Sequence, residues 1–154
     1  MILTPISDAA LPATLDRLRL SLRDGLPRQV FSRIARLADA ARAAGASAVE
    51  HQRRAIAVAG EHGIAIRAGN PALDFSWDGK TLRSDTEAYV LLHEIAHFQL
   101  AAPARRQVID FGLGAGPETG DRAAADGAAC LFGIAREREE AMASLLGILL
   151  EIEL

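Results

Sequence analysis

A single cysteine, Cys130, among 154 residues excludes an intrachain disulfide and any cluster of thiolates around a metal. A metal site in this chain has to be built from imidazole and carboxylate. Aromatic residues amount to only 5%, too few for the stacking platforms that single-stranded nucleic acid binders use. Nucleic acid is therefore not the expected partner. No apolar run approaches the roughly 20 residues that cross a bilayer, so no membrane association is expected. The N-terminal Met1–Ile6 lacks the basic start and long apolar core of a secretory signal, and a cytoplasmic location is expected. Lysine is almost missing, with Lys80 alone beside sixteen arginines; no function attaches to that bias.

What is present suits one compact metal-binding domain over residues 1–154. Half of the residues are apolar and 24% are charged, with a formal net charge of −3, the balance of an ordinary soluble surface around one sizeable core. The charge is uneven, +4 over residues 1–60 and −7 over residues 61–154. A basic helical part could face an acidic partner, yet solvated helix faces carry the same pattern.

The hydrophobic period divides the chain into a helical part, residues 1–62, and a part with a sheet and metal-site helices, residues 63–154. Leu11, Leu15, Leu18 and Leu22 recur at helical spacing until Gly25-Leu26-Pro27. Val30, Phe31, Ile34, Leu37 and Ala41 form a second stripe reaching toward Gly45. Ser47 is the expected cap of a third helix with Val49, Ile56 and Ala59 on its apolar face, ended by His62-Gly63. Ile64–Arg67, Leu73–Trp77 and Lys80–Arg83 then alternate like short strands, and Asp78-Gly79 is a hairpin turn signal. The expected fold is α+β and mostly helical, with a zincin-like metal-binding helix beside a small antiparallel sheet.

Ser84-Asp85-Thr86-Glu87 fits a capping box and predicts a helix from about Asp85 to Ala102. Pro103 suits the first turn of a further short helix, and the glycines of Phe111–Pro117 predict a loop. Helices from Asp121 to Arg136 and from Glu137 to Leu154 are expected to close the chain. The apolar side of the last one is Met142, Leu145, Leu146, Leu149 and Leu150.

The chemistry is concentrated in His93-Glu94-Ile95-Ala96-His97. Residues four apart on a helix project from the same face, so His93 and His97 can share one divalent ion, either Fe or Zn. Glu94 lies to the side, where it can move a proton as the catalytic acid/base. Two histidines do not complete a site, and a carboxylate returning on the last helix is the expected third ligand. Glu140 is chosen because small residues follow it at Ala143, Ser144 and Gly147, which would let that helix approach and offer a nearby hydroxyl. Glu139 is the rival. His51 and His62 lie outside any ligand spacing. The bland alternatives are hydrogen-bonded helix histidines and glutamates placed by the helix macrodipole.

The continuous segment His93–Gly112 also resembles the signature of the bacterial elongation factor P hydroxylases. The shared features are the His-Glu-Ile-x-His run, aromatic Phe98, Ala104-Arg105-Arg106 and Asp110-Phe111-Gly112, in the same order without a gap. The resemblance implies a mononuclear site of two histidines and one glutamate in an enzyme that hydroxylates a modified lysine of a translation factor using oxygen. On that basis the expected function is a non-haem hydroxylase or oxygenase acting on a protein or other polar substrate. Around the comparable glutamate, Glu139-Glu140-Ala141-Met142 lacks the family's Lys-Pro-Gln, and Leu113-Gly114-Ala115-Gly116 stands where its Tyr-Trp-Tyr would follow. The residues alone equally allow a zinc metallopeptidase with Glu94 as general base, for which the sheet would offer an edge strand, or a non-catalytic metal-binding module. Arg105 and Arg106 are either surface charges, or they bind an acidic group or anchor the loop near the metal. Asp110 either ends a helix or hydrogen-bonds a ligand imidazole.

Overall fold

A computed structural model describes residues 6–36, 44–69 and 75–154. The chain splits into two compact units, residues 1–42 and 43–154, and the third helix packs with the sheet and the metal-motif helix in the second. The first unit holds α1 (Leu11–Ser21) and α2 (Leu26–Ile34), each with a proline in its first turn, where the missing N–H costs nothing. Gly25, at φ 99°, turns the chain between them. Neither helix has a buried residue. Leu37 and Ala41 of the second apolar stripe lie outside the described residues.

The second unit begins with α3 (Ala46–Glu61). Gly45, not Ser47, sits at its N-cap; the Ser47 hydroxyl accepts instead from the Ala44 N–H at 3.3 Å. The helix ends as His62-Gly63 predicts, with Gly63 at φ 69° and the bonds Gly63 N–H to Gly60 O and Ile64 N–H to Ala59 O that define a Schellman cap. Its packing face is Ala55 and Ala59, both fully buried, whereas Val49 is 69% exposed. Two alanines one turn apart let α3 lie close to its neighbour.

β1 (Ala65–Arg67) and β2 (Thr81–Arg83) pair in parallel, Ile66 opposite Leu82, which corrects the antiparallel sheet expected beside the zincin-like helix. The predicted turn does form. Asp78 accepts from the Lys80 and Thr81 N–H groups and from the Thr81 hydroxyl, Gly79 takes φ 91°, and Trp77 bridges Leu82 antiparallel. That pairing shrinks to one bridge because Arg67 reaches across to Asp78 at 3.0 Å and β1 takes the other edge of β2. Leu73 and Asp74 of the expected partner strand lie outside the described residues.

The motif helix α4 (Ala88–Leu100) starts three residues later than the capping box predicts, and Glu87 makes no side-chain cap. Ser84 is drawn off to the sheet, donating from N–H and hydroxyl to Arg67 O, while Gln52 of α3 donates to the Ser84 and Thr86 carbonyls. Leu91, Leu92 and Ile95 are fully buried, each worth about 1.5–3 kcal/mol on burial. They meet Ala55, Ala59, Ile64, Trp77, Leu82 and Phe111 in one core.

Two 3-10 turns, Arg105–Gln107 and Ile109–Gly112, follow α4. α5 is only Arg122–Gly127, capped by Asp121, and α6 runs from Gly133 to Glu153. The boundaries differ from those predicted because the Gly112 carbonyl accepts from Cys130 N–H and Leu131 N–H, pinning residues that would otherwise extend α5. α6 also buries a different face. Ala143 and Gly147 are buried in it, whereas Met142 and Leu145 are 48% and 44% exposed. Among the described residues no helix is long and apolar enough to cross a membrane.

A Cβ on Gly147 would stand 3.2 Å from the His93 Cα and 3.3 Å from its N. Gly147→Leu is therefore expected to destabilise the protein by about 1–3 kcal/mol, since the helices must separate. Gly60→Ala, in open space within α3, should stabilise by about 0.5–1 kcal/mol. Urea unfolding of the two variants checks the contrast, and equal effects would contradict this packing.

Candidate metal centre

Turn spacing on α4 brings the two imidazoles together, His97 buried and His93 partly exposed. Their rings meet edge to face with Nε2 atoms 3.1 Å apart. Glu140, from the first half of α6, places one oxygen 3.5 Å from His93 Nε2 and 3.4 Å from His97 Nε2. Three donor atoms thus form a triangle that could hold a metal ion. Donors bound tetrahedrally at about 2.0–2.2 Å from one centre stand about 3.3 Å apart, so the triangle suits a small dication without rearrangement. Of the two rival glutamates, Glu140 is the one that α6 turns to the Nε2 side of both rings.

Glu139 also reaches His97, from the opposite edge of the ring. Its oxygen lies 3.5 Å from Nδ1, and its carboxylate takes two contacts of 2.6 Å from the Arg105 guanidinium. Adjacent residues on a helix diverge by about 100°, enough for Glu139 and Glu140 to straddle one imidazole. Ser144 is exposed and offers no hydroxyl to the centre, contrary to expectation; the small residues that allow the approach are Ala143 and Gly147.

The loop after α4 supplies the other wall. Phe111 stacks on His97 at 5.9 Å between centroids and on Trp77 at 5.3 Å. To reach that position, Asp110 and Phe111 adopt left-handed backbone at φ 42° and 53°, a strain of about 1–3 kcal/mol per residue. Asp110 is not bonded to an imidazole. It accepts from Trp77 N–H at 3.2 Å and the Thr119 hydroxyl at 2.6 Å, and its own N–H donates to Trp77 O. Burial raises its carboxyl pKa against the lowering by these donors. Arg106 closes the end of α4, donating to the Ala101 and Gln99 carbonyls with its guanidinium over the Phe98 ring. Both arginines therefore anchor this region. No short-range spacing signals the Arg105–Glu139 pair or the Trp77–Phe111–His97 stack; the lone tryptophan was the one available hint.

The electrostatics are those of a crowded anionic site. Hydrogen bonding to His93 and His97 holds the Glu140 carboxyl well below its usual range. Burial pulls the His97 pKa down, but the Glu140 bond and the charges of Glu94, Glu140 and Glu139 outweigh it and leave the pKa above its ordinary 6.5. Glu94 is half-buried; loss of solvent pushes its carboxyl up, partly offset by His97 and His93. His51 and His62 lie away from the centre, beside Glu151 and Gln99 respectively.

An ion must displace the proton on His97, so affinity is expected to rise with pH through and above 6.5. The metal-free protein has the opposite slope. Because the folded pKa of His97 is raised, its contribution is complete below 6.5 and lost as pH rises through the folded value. Melting temperatures with and without Zn2+ across pH 6 to 9 should diverge, and parallel curves would count against the site. His93→Ala, His97→Ala and Glu140→Ala should each lose the ion, as measured by metal content.

No family model, curated protein or solved structure matches the chain.

Proposed function

We propose that the protein is a mononuclear metal-dependent enzyme in which His93, His97 and Glu140 hold a divalent ion and Glu94 is the acid/base. The observation that carries this is the convergence of the three donor atoms from two helices, with edges of 3.1–3.5 Å. Such an ion supplies a Lewis acid with open positions and, when it is iron, oxygen chemistry. Glu94 contributes a carboxyl whose affinity for a proton is raised by its surroundings, the tuning that suits a group that both accepts and returns a proton. Phe111 and Trp77 keep water from one face of the His97 ring. Arg105 and Arg106 fix the return of the chain beside it.

The resemblance over His93–Gly112 supports reading the enzyme as a non-haem hydroxylase that acts on a protein side chain such as that of a translation factor, or on another polar substrate. A zinc metallopeptidase is the second reading. β2, the strand that packs on α4, is paired to β1 on one edge and bridged to Trp77 on the other. Among the described residues β2 therefore has no free edge to offer a peptide, which favours the hydroxylase. A purely structural metal needs no carboxyl at position 94, which disfavours the non-catalytic module.

Protein purified without added metal is expected to contain about one ion per chain. Under air with iron and a reductant, the lysine-modified elongation factor P should gain the mass of one oxygen. Glu94→Gln should keep the ion and lose turnover by about 100-fold or more. Peptide cleavage with zinc and no oxygen transfer would establish the second reading, and loss of the ion from the folded Glu94→Gln variant would make Glu94 a ligand.

A further inference from the structure

We infer that Glu139 and Arg105 are positioning residues that fix which nitrogen of His97 carries its proton, and so which nitrogen is free to bind the ion. The inference rests on the metal reading above and adds to it a determinant of affinity outside the ligand set.

Three observations converge. His97 is 2% exposed, and its Nδ1 is buried without a hydrogen-bond partner. The Glu139 carboxylate faces that atom at 3.5 Å, slightly beyond a hydrogen bond. Glu139 is itself held by Arg105 at 2.6 Å, with both side chains mostly buried at 13% and 16% exposure. A neutral imidazole has one N–H and one lone pair. When His97 Nε2 turns its lone pair to the ion shared with His93 and Glu140, the proton must sit on Nδ1. A buried N–H there without an acceptor is costly; Glu139 is the acceptor in place.

Arg105 makes Glu139 available. Without the guanidinium, the carboxylate would add to the charge of Glu140 next to it and could swing toward solvent. With it, the carboxylate is fixed at one edge of the ring while Phe111 stacks on the face. Metal-bound histidines are commonly oriented by such an outer carboxylate, and its loss typically weakens metal affinity about 10–100-fold.

The test is Zn2+ affinity of the full chain, measured by competition with a chromophoric chelator, together with NMR of the zinc-loaded protein labelled with 15N-histidine. Glu139→Ala should weaken Zn2+ about 10–100-fold, and Glu139→Gln, which keeps an acceptor oxygen for Nδ1–H, should recover part of that loss. Arg105→Ala should weaken it less, and the double variant Arg105→Ala/Glu139→Ala should bind no worse than Glu139→Ala alone. In the wild type the His97 proton should be on Nδ1 with zinc on Nε2. A role confined to stability would lower the melting temperature of the Ala and Gln variants without this affinity order. Wild-type zinc binding with Glu139→Ala unchanged, or with zinc on Nδ1, overturns the inference and leaves the metal reading standing; a wild type that binds neither zinc nor iron removes both.

Discussion

The contact between Gly147 of α6 and the backbone of His93 on α4 is the constraint on which the centre depends. Packed helices stand about 8–10 Å apart, at the short end only where small side chains meet. Gly147 and Ala143 supply that meeting, with the His93 Cα 3.2 Å from where a Cβ would stand on Gly147. Glu140 lies seven residues before Gly147, two turns along the same side of the helix, and that registry carries its carboxylate to the two imidazoles. A helix pushed outward by a larger residue would still be a helix. Its carboxylate would no longer complete the triangle.

The second support is aromatic. Trp77 pairs with Asp110 through reciprocal backbone and side-chain bonds, stacks on Phe111, and donates its indole N–H to Arg106 O at 2.8 Å. Phe111 in turn covers His97. Two successive left-handed residues are an unfavourable way to turn a chain. They persist because the bonds of Asp110 to Trp77 and Thr119, and those of the Gly112 carbonyl to Cys130 and Leu131, hold the turn from both sides. The strained Asp110-Phe111-Gly112 turn thereby places a flat ring against a buried imidazole, and Glu139 stands at the edge of that same imidazole.

Local signals in the sequence were reliable where the physics is local. Gly63 ending α3, the Gly25-Leu26-Pro27 break between α1 and α2, the Asp78-Gly79 turn, and His93 and His97 on one face all follow from short-range backbone rules. The failures have one physical origin, which is that distant partners outbid local ones. Ser84 had the right spacing to cap α4, but a β1 carbonyl and Gln52 claimed its neighbourhood. β2 had a hairpin partner in sequence, but β1 took its other edge in parallel. In α6 the large residues Met142 and Leu145 suggested the buried side, whereas the need for close approach selected Ala143 and Gly147. Glu140 was legible through those same small residues. Glu139 was legible only as its rival, because its tie to Arg105 spans 34 residues.

The charges around the centre explain why a dication suits it. Glu94, Glu139 and Glu140 surround two imidazoles, and of the three only Glu139 is matched by a guanidinium among the described residues, that of Arg105. With neutral histidines and ionised carboxylates, Glu94 and Glu140 leave two negative charges, that of Glu94 largely cut off from solvent and that of Glu140 on a side chain 42% exposed. Removing carboxylates from water without a counter-charge is costly, and groups so placed shift their pKa to recover neutrality. That is the direction seen here. His97 is raised toward imidazolium by the surrounding glutamates, and Glu94 is raised toward the acid. Two protons and one divalent ion are electrostatically equivalent answers to the same deficit, but only the ion also uses the facing lone pairs of His93, His97 and Glu140. A divalent ion on His93, His97 and Glu140 would balance that anionic surplus, and Glu94, no longer needed as a proton carrier for neutrality, would be left to the acid/base role proposed for it.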